Sequence, residues 1–131
     1  GKVLGVPCNA ASALLIDPVA RSVEEFGDFG EDTEKWFGAT LLPDGKVLAV
    51  PSSAAHVLLL DPESRQAETF GTFEAGGNKW WTAVLLPDGQ VLGVPACSKH
   101  VLLVDPRSKT TTQFGDLGEE PFKWAAASLL A

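Results

Sequence analysis

The sequence predicts an all-β protein built from three copies of one antiparallel unit. A hairpin pattern at residues 80–95, WWTAVLLPDGQVLGVP, recurs at residues 36–51 as WFGATLLPDGKVLAVP. The segments GKVLGVP, GKVLAVP and GQVLGVP begin at Gly1, Gly45 and Gly89, 44 residues apart each time. A fixed period of this length is typical of repeat architectures. We therefore expect one repeat domain over residues 1–131, with repeats at about 1–44, 45–88 and 89–131.

Each repeat contains the patterns of three consecutive strands. In the first repeat, Lys2 to Val6 predicts a strand, the apolar Ala13 to Ile16 predicts a strand covered on both faces, and Ser22 to Phe26 alternates as an outer strand does. Asp17-Pro18 has the residue types that specify a type I turn. The same order recurs at 46–50, 56–60 and 66–70, and again at 90–94, 100–104 and 110–114.

A fourth strand begins at a tryptophan and leads into the next repeat. Trp36 to Leu42 and Trp80 to Leu86 both run into Pro-Asp-Gly, in which Gly supplies the positive φ of a short hairpin. Trp124 to Leu130 has the same repeat position near the carboxyl end. Helices are not expected, because the apolar residues come in short blocks and every segment of helical length contains Pro or Gly.

Four antiparallel strands every 44 residues give the period of a β-propeller blade. The patterns W..A.LLPDG.VL.VP and HVLLLDP.S....FG resemble the blades of kelch-like and of streptogramin B lyase-like propellers over essentially the whole chain. The resemblance implies four-stranded antiparallel blades, three in this chain. It places 36–42 and 80–86 innermost, and 22–26, 66–70 and 110–114 outermost.

Three blades do not close a ring, because propellers typically have about 4 to 8. Residues 124–130 are expected to complete the blade begun at 2–26 by pairing with residues 2–6 of a neighbouring chain. The partner is then the chain itself, in a homo-oligomer. Six blades from a dimer is the preferred ring, and nine from a trimer or a longer parent chain are the alternatives. Whether the repeats belong to a natural fragment or a designed protein is left open.

Composition and charge exclude some partners. The net charge of −7 disfavours nucleic acid and anionic membrane surfaces, since both are bound by clustered Lys and Arg. No apolar run approaches the roughly 18 residues of a membrane span, and no signal-peptide pattern is present. We expect a soluble chain with no nucleic-acid or membrane partner, in a compartment that the sequence does not indicate.

Two residue types recur at positions that indicate structural roles. A tryptophan in every repeat is interpreted as a wedge between blades rather than a ligand platform. Alanine recurs where the inner strands are expected to crowd near the axis. These residues are Trp36, Trp80 and Trp124, and Ala39, Ala83 and Ala127.

The loops that follow residues 2–6, 46–50 and 90–94, together with the loops that follow the outer strands, are expected on one face, where propellers of this type usually hold ligands. Candidate ligand-binding residues on that face are Asn9, Ser52, Ser53, Asn78, Trp81 and Ser98. Cys8 and Cys97 lie in the same loops at different repeat positions and are interpreted as free thiols. The loop carboxylates lack the spacing of a known calcium loop, so neither a metal site nor a cofactor is predicted. They are Glu31, Asp32, Glu34, Asp116, Glu119 and Glu120.

Two histidines are the candidates for catalysis. His56 and His100 begin equivalent strands. Streptogramin B lyase-like enzymes use a histidine and a metal ion, so the resemblance makes either residue a candidate general base. Identical placement in two repeats favours a structural role. No catalytic motif such as HExxH, a phosphate loop or a Ser-His-Asp order is present, and no catalytic residue is predicted.

The leading hypothesis is a non-enzymatic interaction or assembly module that presents variable loops on a rigid scaffold. Strand positions agree between repeats, whereas loops such as 30–34 and 74–78 differ, and binding is commonly placed on loops over a fixed scaffold. One alternative is a metal-assisted lyase or hydrolase of the streptogramin B lyase-like kind. The other is a lectin-like module that stacks sugars on Trp81 and Trp80 beside Asn78.

Overall fold

The computed structural model describes all 131 residues and contains eleven β-strands and no helix. Each predicted Asp-Pro turn and Pro-Asp-Gly hairpin separates two of these strands. No segment of the chain forms a helix able to cross a membrane. The strands are β1 (Val3–Gly5), β2 (Ala13–Asp17), β3 (Ser22–Phe26), β4 (Trp36–Leu41), β5 (Val47–Pro51), β6 (Val57–Asp61), β7 (Gln66–Phe70), β8 (Trp80–Leu85), β9 (Val91–Pro95), β10 (Val101–Asp105) and β11 (Thr110–Phe114).

The strands form three antiparallel sheets, which we call blades 1, 2 and 3. Blade 2 has the order β4-β5-β6-β7 and blade 3 the order β8-β9-β10-β11. Blade 1 has only β1-β2-β3. The all-β prediction and the order of strands within each blade are therefore confirmed, and blade 1 has no inner strand of its own.

The side chains of the aspartates stabilise the Asp-Pro turns. Asp17 Oδ1 accepts hydrogen bonds from the backbone N–H groups of Val19 and Ala20, at 3.0 and 2.9 Å. The bond from Ala20 is the main reason why the pKa of Asp17 lies below its ordinary value. Asp61 and Asp105 accept the equivalent bonds in the other two blades. The prediction that these aspartates specify turns is confirmed.

Two apolar clusters hold the blades together, each around one tryptophan. Trp36 lies between blades 1 and 2, in a cluster with Ala13, Leu15 and Leu58. Trp80 lies between blades 2 and 3 and is only 1% exposed. The indole Nε1 of each donates a hydrogen bond to a backbone carbonyl, so its polar atom is satisfied in the core. Both residues are wedges between blades, as predicted, whereas Trp124 at the same repeat position is 45% exposed and wedges between no blades of this chain.

The outer strands are also linked from blade to blade. Arg65 Nη2 lies 2.8 Å from Glu24 Oε2, and Lys109 Nζ lies 2.8 Å from Glu68 Oε2. The two pairs occupy equivalent repeat positions. The first joins blade 1 to blade 2, and the second joins blade 2 to blade 3. The hydrogen bond from Arg65 lowers the pKa of Glu24. Arg65 is half-buried and the other three side chains are exposed, so each pair contributes little to stability.

The closest approach of the inner strands is at Gly38 and not at the recurring alanines. A Cβ at Gly38 would lie 2.3 Å from the carbonyl oxygen of Trp81, so β4 and β8 can meet only where β4 has no side chain. Ala39 is exposed, and Ala83 packs beside the Trp80 cluster. The prediction that Ala39 marks the crowded position is wrong, because the inner strand is bulged between Trp36 and Ala39.

Residues 124–130, which the sequence predicts to be a strand, contain none in this chain. Strand structure requires a hydrogen-bonded neighbour in a sheet, and blade 1 lies at the opposite end of the row of blades. One side of the segment contacts β8, where Thr82 Oγ1 donates to the Ala125 carbonyl at 2.7 Å. The pairing of 124–130 with a neighbouring chain stays a prediction.

Candidate ligand-binding face

The loops that follow β1, β5 and β9 lie on the same face of the row of blades as the loops that follow the outer strands. The loop that follows β5 begins at Ser52, whose backbone N–H donates to the Lys35 carbonyl at 3.0 Å and whose carbonyl accepts from the Lys79 N–H at 2.9 Å. Gly76 N–H donates to the Ser53 carbonyl at 2.6 Å. The loop after β5 is thus bonded to the long loops on both sides. We call this surface the loop face.

Asn9 and Ser53, two of the predicted ligand-binding residues, stabilise loops. Asn9 Oδ1 accepts from the backbone N–H of Glu34 at 2.7 Å, and Ser53 Oγ accepts from that of Asn78 at 3.3 Å. Cys97 Sγ does the same for Phe122 at 3.3 Å. The three donors share one repeat position and all have positive φ, which polar acceptors at that position help to hold. Cys8 and Cys97 are both free and half-buried.

Ser52, Asn78 and Trp81 form one hydrogen-bonded chain. Trp81 Nε1 donates to Ser52 Oγ at 3.1 Å, and Ser52 Oγ donates to Asn78 Oδ1 at 3.1 Å. Ser52 is fully buried, so the indole of Trp81 is fixed by a group inside the protein. Ser98 Oγ, by contrast, accepts from the backbone N–H of His100 at the start of its own strand.

The two histidines make the same contacts in two blades. His56 Nδ1 lies 2.6 Å from the Gly71 carbonyl, and His100 Nδ1 is hydrogen-bonded to the Gly115 carbonyl. Because a carbonyl only accepts, each Nδ1 carries a proton. The imidazole of His56 therefore joins the start of β6 to the end of β7, and that of His100 joins the start of β10 to the end of β11.

Three lysines on this face are not identified by the sequence reasoning. Lys35, Lys79 and Lys123 precede the recurring tryptophans, and their ammonium groups donate to backbone carbonyls of the loop that leads into the tryptophan. Lys35 is 3% exposed, with Nζ 2.6 Å from the Asp32 carbonyl and 3.2 Å from that of Gly30. The signal is present in the sequence, since the pair Lys-Trp recurs every 44 residues.

Lys79 is the most completely bonded of these lysines. Its ammonium donates to the carbonyls of Ala54, Glu74 and Gly76, at 3.0, 2.5 and 2.9 Å. Burial lowers the pKa of Lys79 to about 8, and the nearby Glu74 carboxylate opposes that shift. The group therefore closes the loop between blades 2 and 3.

The carboxylates of the loop face do not form a metal site. Glu31, Asp32 and Glu34 lie in the loop between blades 1 and 2, whereas Asp116, Glu119 and Glu120 follow blade 3. No three His, Cys, Asp or Glu side chains of this chain lie close enough together to hold a metal ion. The only ion pair in these loops joins Lys99 Nζ to Glu119 Oε1 at 3.0 Å.

Three aromatic side chains form a row on the axial side of the loop face. The rings of Phe37 and Trp81 lie 5.2 Å apart at 43°, and those of Trp81 and Phe122 lie 5.3 Å apart at 42°. Phe37 and Phe122 are exposed, and Trp81 is half-buried. We call these residues the aromatic row. Trp80 is buried against Phe73, so the predicted platform of Trp81 and Trp80 is wrong.

The sequence matches no protein-family model and no curated protein. Its structure is similar to that of virginiamycin B lyase from Staphylococcus aureus, with a TM-score of 0.73 and 14% identity, over 88% of this chain and 38% of that one. This chain has a β-propeller-like fold. The extracellular domain of a one-component system from B. thetaiotaomicron matches with a TM-score of 0.64 and 12% identity, over 88% of this chain and 17% of that one.

An auxiliary nutrient binding protein from Bacteroides thetaiotaomicron matches with a TM-score of 0.61 and 15% identity, over 91% of this chain and 31% of that one. This chain therefore spans less than half the length of each of these proteins, and its three blades correspond to part of a ring. Identities this low show the fold alone. The finer assignment to kelch-like or streptogramin B lyase-like blades stays a prediction.

Proposed function

We propose that this chain is a non-enzymatic interaction module that binds a partner through the aromatic row. The polar side chains that recur every 44 residues are bonded within the scaffold. The aromatic row, by contrast, differs between blades. Phe37 and Trp81 share a repeat position with Ala125, and Phe122 shares one with Glu34 and Asn78. This contrast between a repeated scaffold and a non-repeated exposed surface is the observation that carries the proposal.

The row is held in place before any partner arrives. Trp81 is bonded through its indole to the buried Ser52 and lies between the rings of Phe37 and Phe122. A fixed aromatic side chain loses little conformational entropy on binding, and aromatic residues are enriched among those that dominate binding energy. The row is therefore suited to contact a partner directly.

The negative charge of the loop face favours a partner that carries positive charge. The exposed carboxylates of the loop face outnumber its exposed cations, because the three recurring lysines are turned to backbone carbonyls. A partner segment that carries Lys or Arg among apolar residues matches this surface, since cations interact favourably with carboxylates and with aromatic faces. The exposed carboxylates belong to Asp28, Glu31, Asp32, Glu34, Glu74, Asp116, Glu119 and Glu120.

A peptide titration tests this function. A peptide of alternating lysine and leucine should change the tryptophan fluorescence of the protein, and an equally long glutamate and leucine peptide should not. Phe37→Ala should weaken the binding about tenfold, as loss of a central aromatic contact does. Val19→Ala is the control, because Val19 is 88% exposed on the turn after β2, away from the aromatic row. Equal losses in both variants, or chemical turnover of a bound small molecule or glycan, would contradict the proposal.

A metal-assisted lyase is the second candidate, and the likeness to virginiamycin B lyase is the observation in its favour. The residues of this chain do not fit a metal ion, because His56 and His100 lie in different blades and each binds a carbonyl through Nδ1. A lyase of this kind should melt at a higher temperature with millimolar magnesium or calcium, since a ligand of the folded state stabilises it. The interaction module should show no such shift.

A lectin-like role is the third candidate, favoured by the exposed faces of the aromatic row. Sugar rings stack on aromatic faces of this kind, and the carboxylates nearby can accept hydrogen bonds from hydroxyl groups. Quenching of the Trp81 fluorescence by simple sugars, absent in Phe37→Ala, would favour this role over binding of a cationic segment.

A further inference from the structure

Blade 1 is one strand short, and the position of the missing strand is defined. β5 and β9 pair with inner strands β4 and β8, whereas β1 pairs only with β2. Val3 on the open edge of β1 is 55% exposed, although Val91 at the same repeat position is fully buried. The axial edge of β1 therefore presents backbone groups and an apolar side chain that the other blades cover.

A cavity of about 560 Å³ lies beside this edge, where blades 1 and 2 meet. Its apolar lining includes Leu4 and Leu15 from blade 1, and Ala39, Leu41 and Val47 from blade 2. Forty-four residues further along the chain, the equivalent side chains pack with Leu42, which is 5% exposed. The cavity thus lacks one leucine at the end of an inner strand. The equivalent residues are Leu48, Leu59, Ala83, Leu85 and Val91.

The chain carries a leucine of the required kind at its other end. Leu130 is 88 residues after Leu42, which is two repeats, and it is 86% exposed. Lys123 N–H donates to the Ala96 carbonyl as Lys79 N–H does to that of Ser52. The segment that follows Lys123 therefore starts where an inner strand starts, next to β8, with its outer side unpaired.

The open faces of blades 1 and 3 are the two halves of an interface that the chain already forms. On blade 3, Leu92 and Leu103 are half-buried, whereas their equivalents Leu48 and Leu59 are at most 4% exposed. On blade 1, Leu14 is half-buried, whereas its equivalent Leu102 is fully buried. Blade 3 of one chain therefore presents the surface that blade 1 of another chain lacks.

We propose that two copies of this chain join head to tail in a closed six-bladed ring, each giving residues 124–130 to blade 1 of the other. The pairing of β4 with β5 sets the register, and Leu130 enters the cavity of the second copy. Six blades lie within the usual range of about 4 to 8, and a twofold ring leaves no open edge. The assembly does not depend on the binding role of the aromatic row. The expected pairs are Ala127 with Gly5, Ser128 with Leu4, and Leu129 with Val3.

The mass of the 131-residue chain in solution tests the ring. Light scattering should give twice the chain mass of 13.8 kDa. Leu130→Glu should reduce the mass to that of one chain while the circular dichroism of the sheets is kept. Val19→Glu is the control, because Val19 is 88% exposed on a turn that the ring leaves free. A single-chain mass of the unaltered protein, a triple mass, or a dimeric Leu130→Glu variant would overturn the proposal.

A disulfide cross-link tests the register independently. Cys8→Ser and Cys97→Ser remove the natural thiols and introduce the residue that blade 2 has at Ser52 and Ser53. In that background, Val3→Cys with Leu129→Cys should give a covalent dimer that reductant separates. Val3→Cys with Ser128→Cys is out of register by one residue and should not. A dimeric protein in which only the second pair cross-links would overturn the assigned pairing.

Discussion

The interface between blades 2 and 3 is closed by an inner strand, whereas the interface between blades 1 and 2 is not. The two interfaces are built from equivalent residues, but Val91 is fully buried and its counterpart Val47 is only half-buried. Leu41 is 63% exposed, and its counterpart Leu85 is half-buried. Burial of a repeated residue thus depends on the strand that completes the blade as much as on the residue itself.

A pair of core substitutions should show the largest difference between the two interfaces. In the Leu130→Glu background, Leu48→Ala should lower the free energy of unfolding by about 3 kcal/mol, because Leu48 is fully buried. Leu4→Ala, at the same repeat position, should cost about 1 kcal/mol because Leu4 borders the cavity. Urea denaturation measures both. Equal losses would mean that the two interfaces are packed alike.

Close contact of the inner strands should give the next effect. Gly38→Ala should cost about 2 kcal/mol, since the new Cβ would press on the backbone of Trp81. Gly5→Ala is the control on the open blade, where the nearest atom to a new Cβ is 3.5 Å away. Its effect should stay within about 0.5 kcal/mol. A Gly38→Ala variant as stable as the original would show that β4 and β8 are further apart than described.

Removing a recurring lysine should cost more stability at the closed interface between blades 2 and 3 than at the open end of the row. Lys79→Met leaves three carbonyls without a donor and should cost about 1 to 2 kcal/mol. Lys123→Met removes a bond to one carbonyl at the open end and should cost about 0.5 kcal/mol. Thermal denaturation of both variants ranks the effects. The opposite ranking would contradict the assignment of Lys79 to the closed loop.

The pKa of Lys79 predicts a small dependence of stability on pH. Burial lowers this pKa to about 8 from the ordinary 10.5, so the unfolded chain binds more protons than the folded chain between these values. The destabilisation is fully present below pH 8 and is relieved as the pH rises to 10.5. Because Lys79 is half-buried, the gain should be about 1 kcal/mol relative to Lys79→Met. If the free energy of unfolding of the unaltered protein fell relative to that of Lys79→Met between pH 8 and pH 10.5, the lowered pKa of Lys79 would be contradicted.

The fold could be predicted from the sequence because each element has a local signal that recurs. The Pro-Asp-Gly hairpin, the Asp-Pro turn and the tryptophan wedge appear at a fixed period, and the structure confirms the hairpins, the turns and the wedges at Trp36 and Trp80. Residues 124–130 differ, because a strand also needs a partner and the pattern does not say where that partner lies. The close approach at Gly38 depends on a bulge, which shifts the crowded position by one residue from the recurring alanine.

The candidate site was harder to predict than the fold. Asn9 and Ser53 are polar residues in loops, but whether such a side chain faces a ligand or a backbone N–H depends on the conformation of a loop about 25 residues away. The recurrence of Lys before Trp could have identified the buried lysines. In the aromatic row, Phe37 and Trp81 share a repeat position, so the period of 44 residues could have indicated their contact. Phe122 lies at a different repeat position, and no spacing in the sequence indicates its contact with Trp81.

Amide hydrogen exchange of the unaltered chain tests the central claim most directly, because it reports on the inner strand itself. If a second copy completes blade 1, the amides of residues 125–129 are protected to the same degree as those of β4, and Leu130→Glu removes this protection while that of β8 is kept. Rapid exchange at residues 125–129 in the unaltered chain, beside a fully protected β8, would contradict the account.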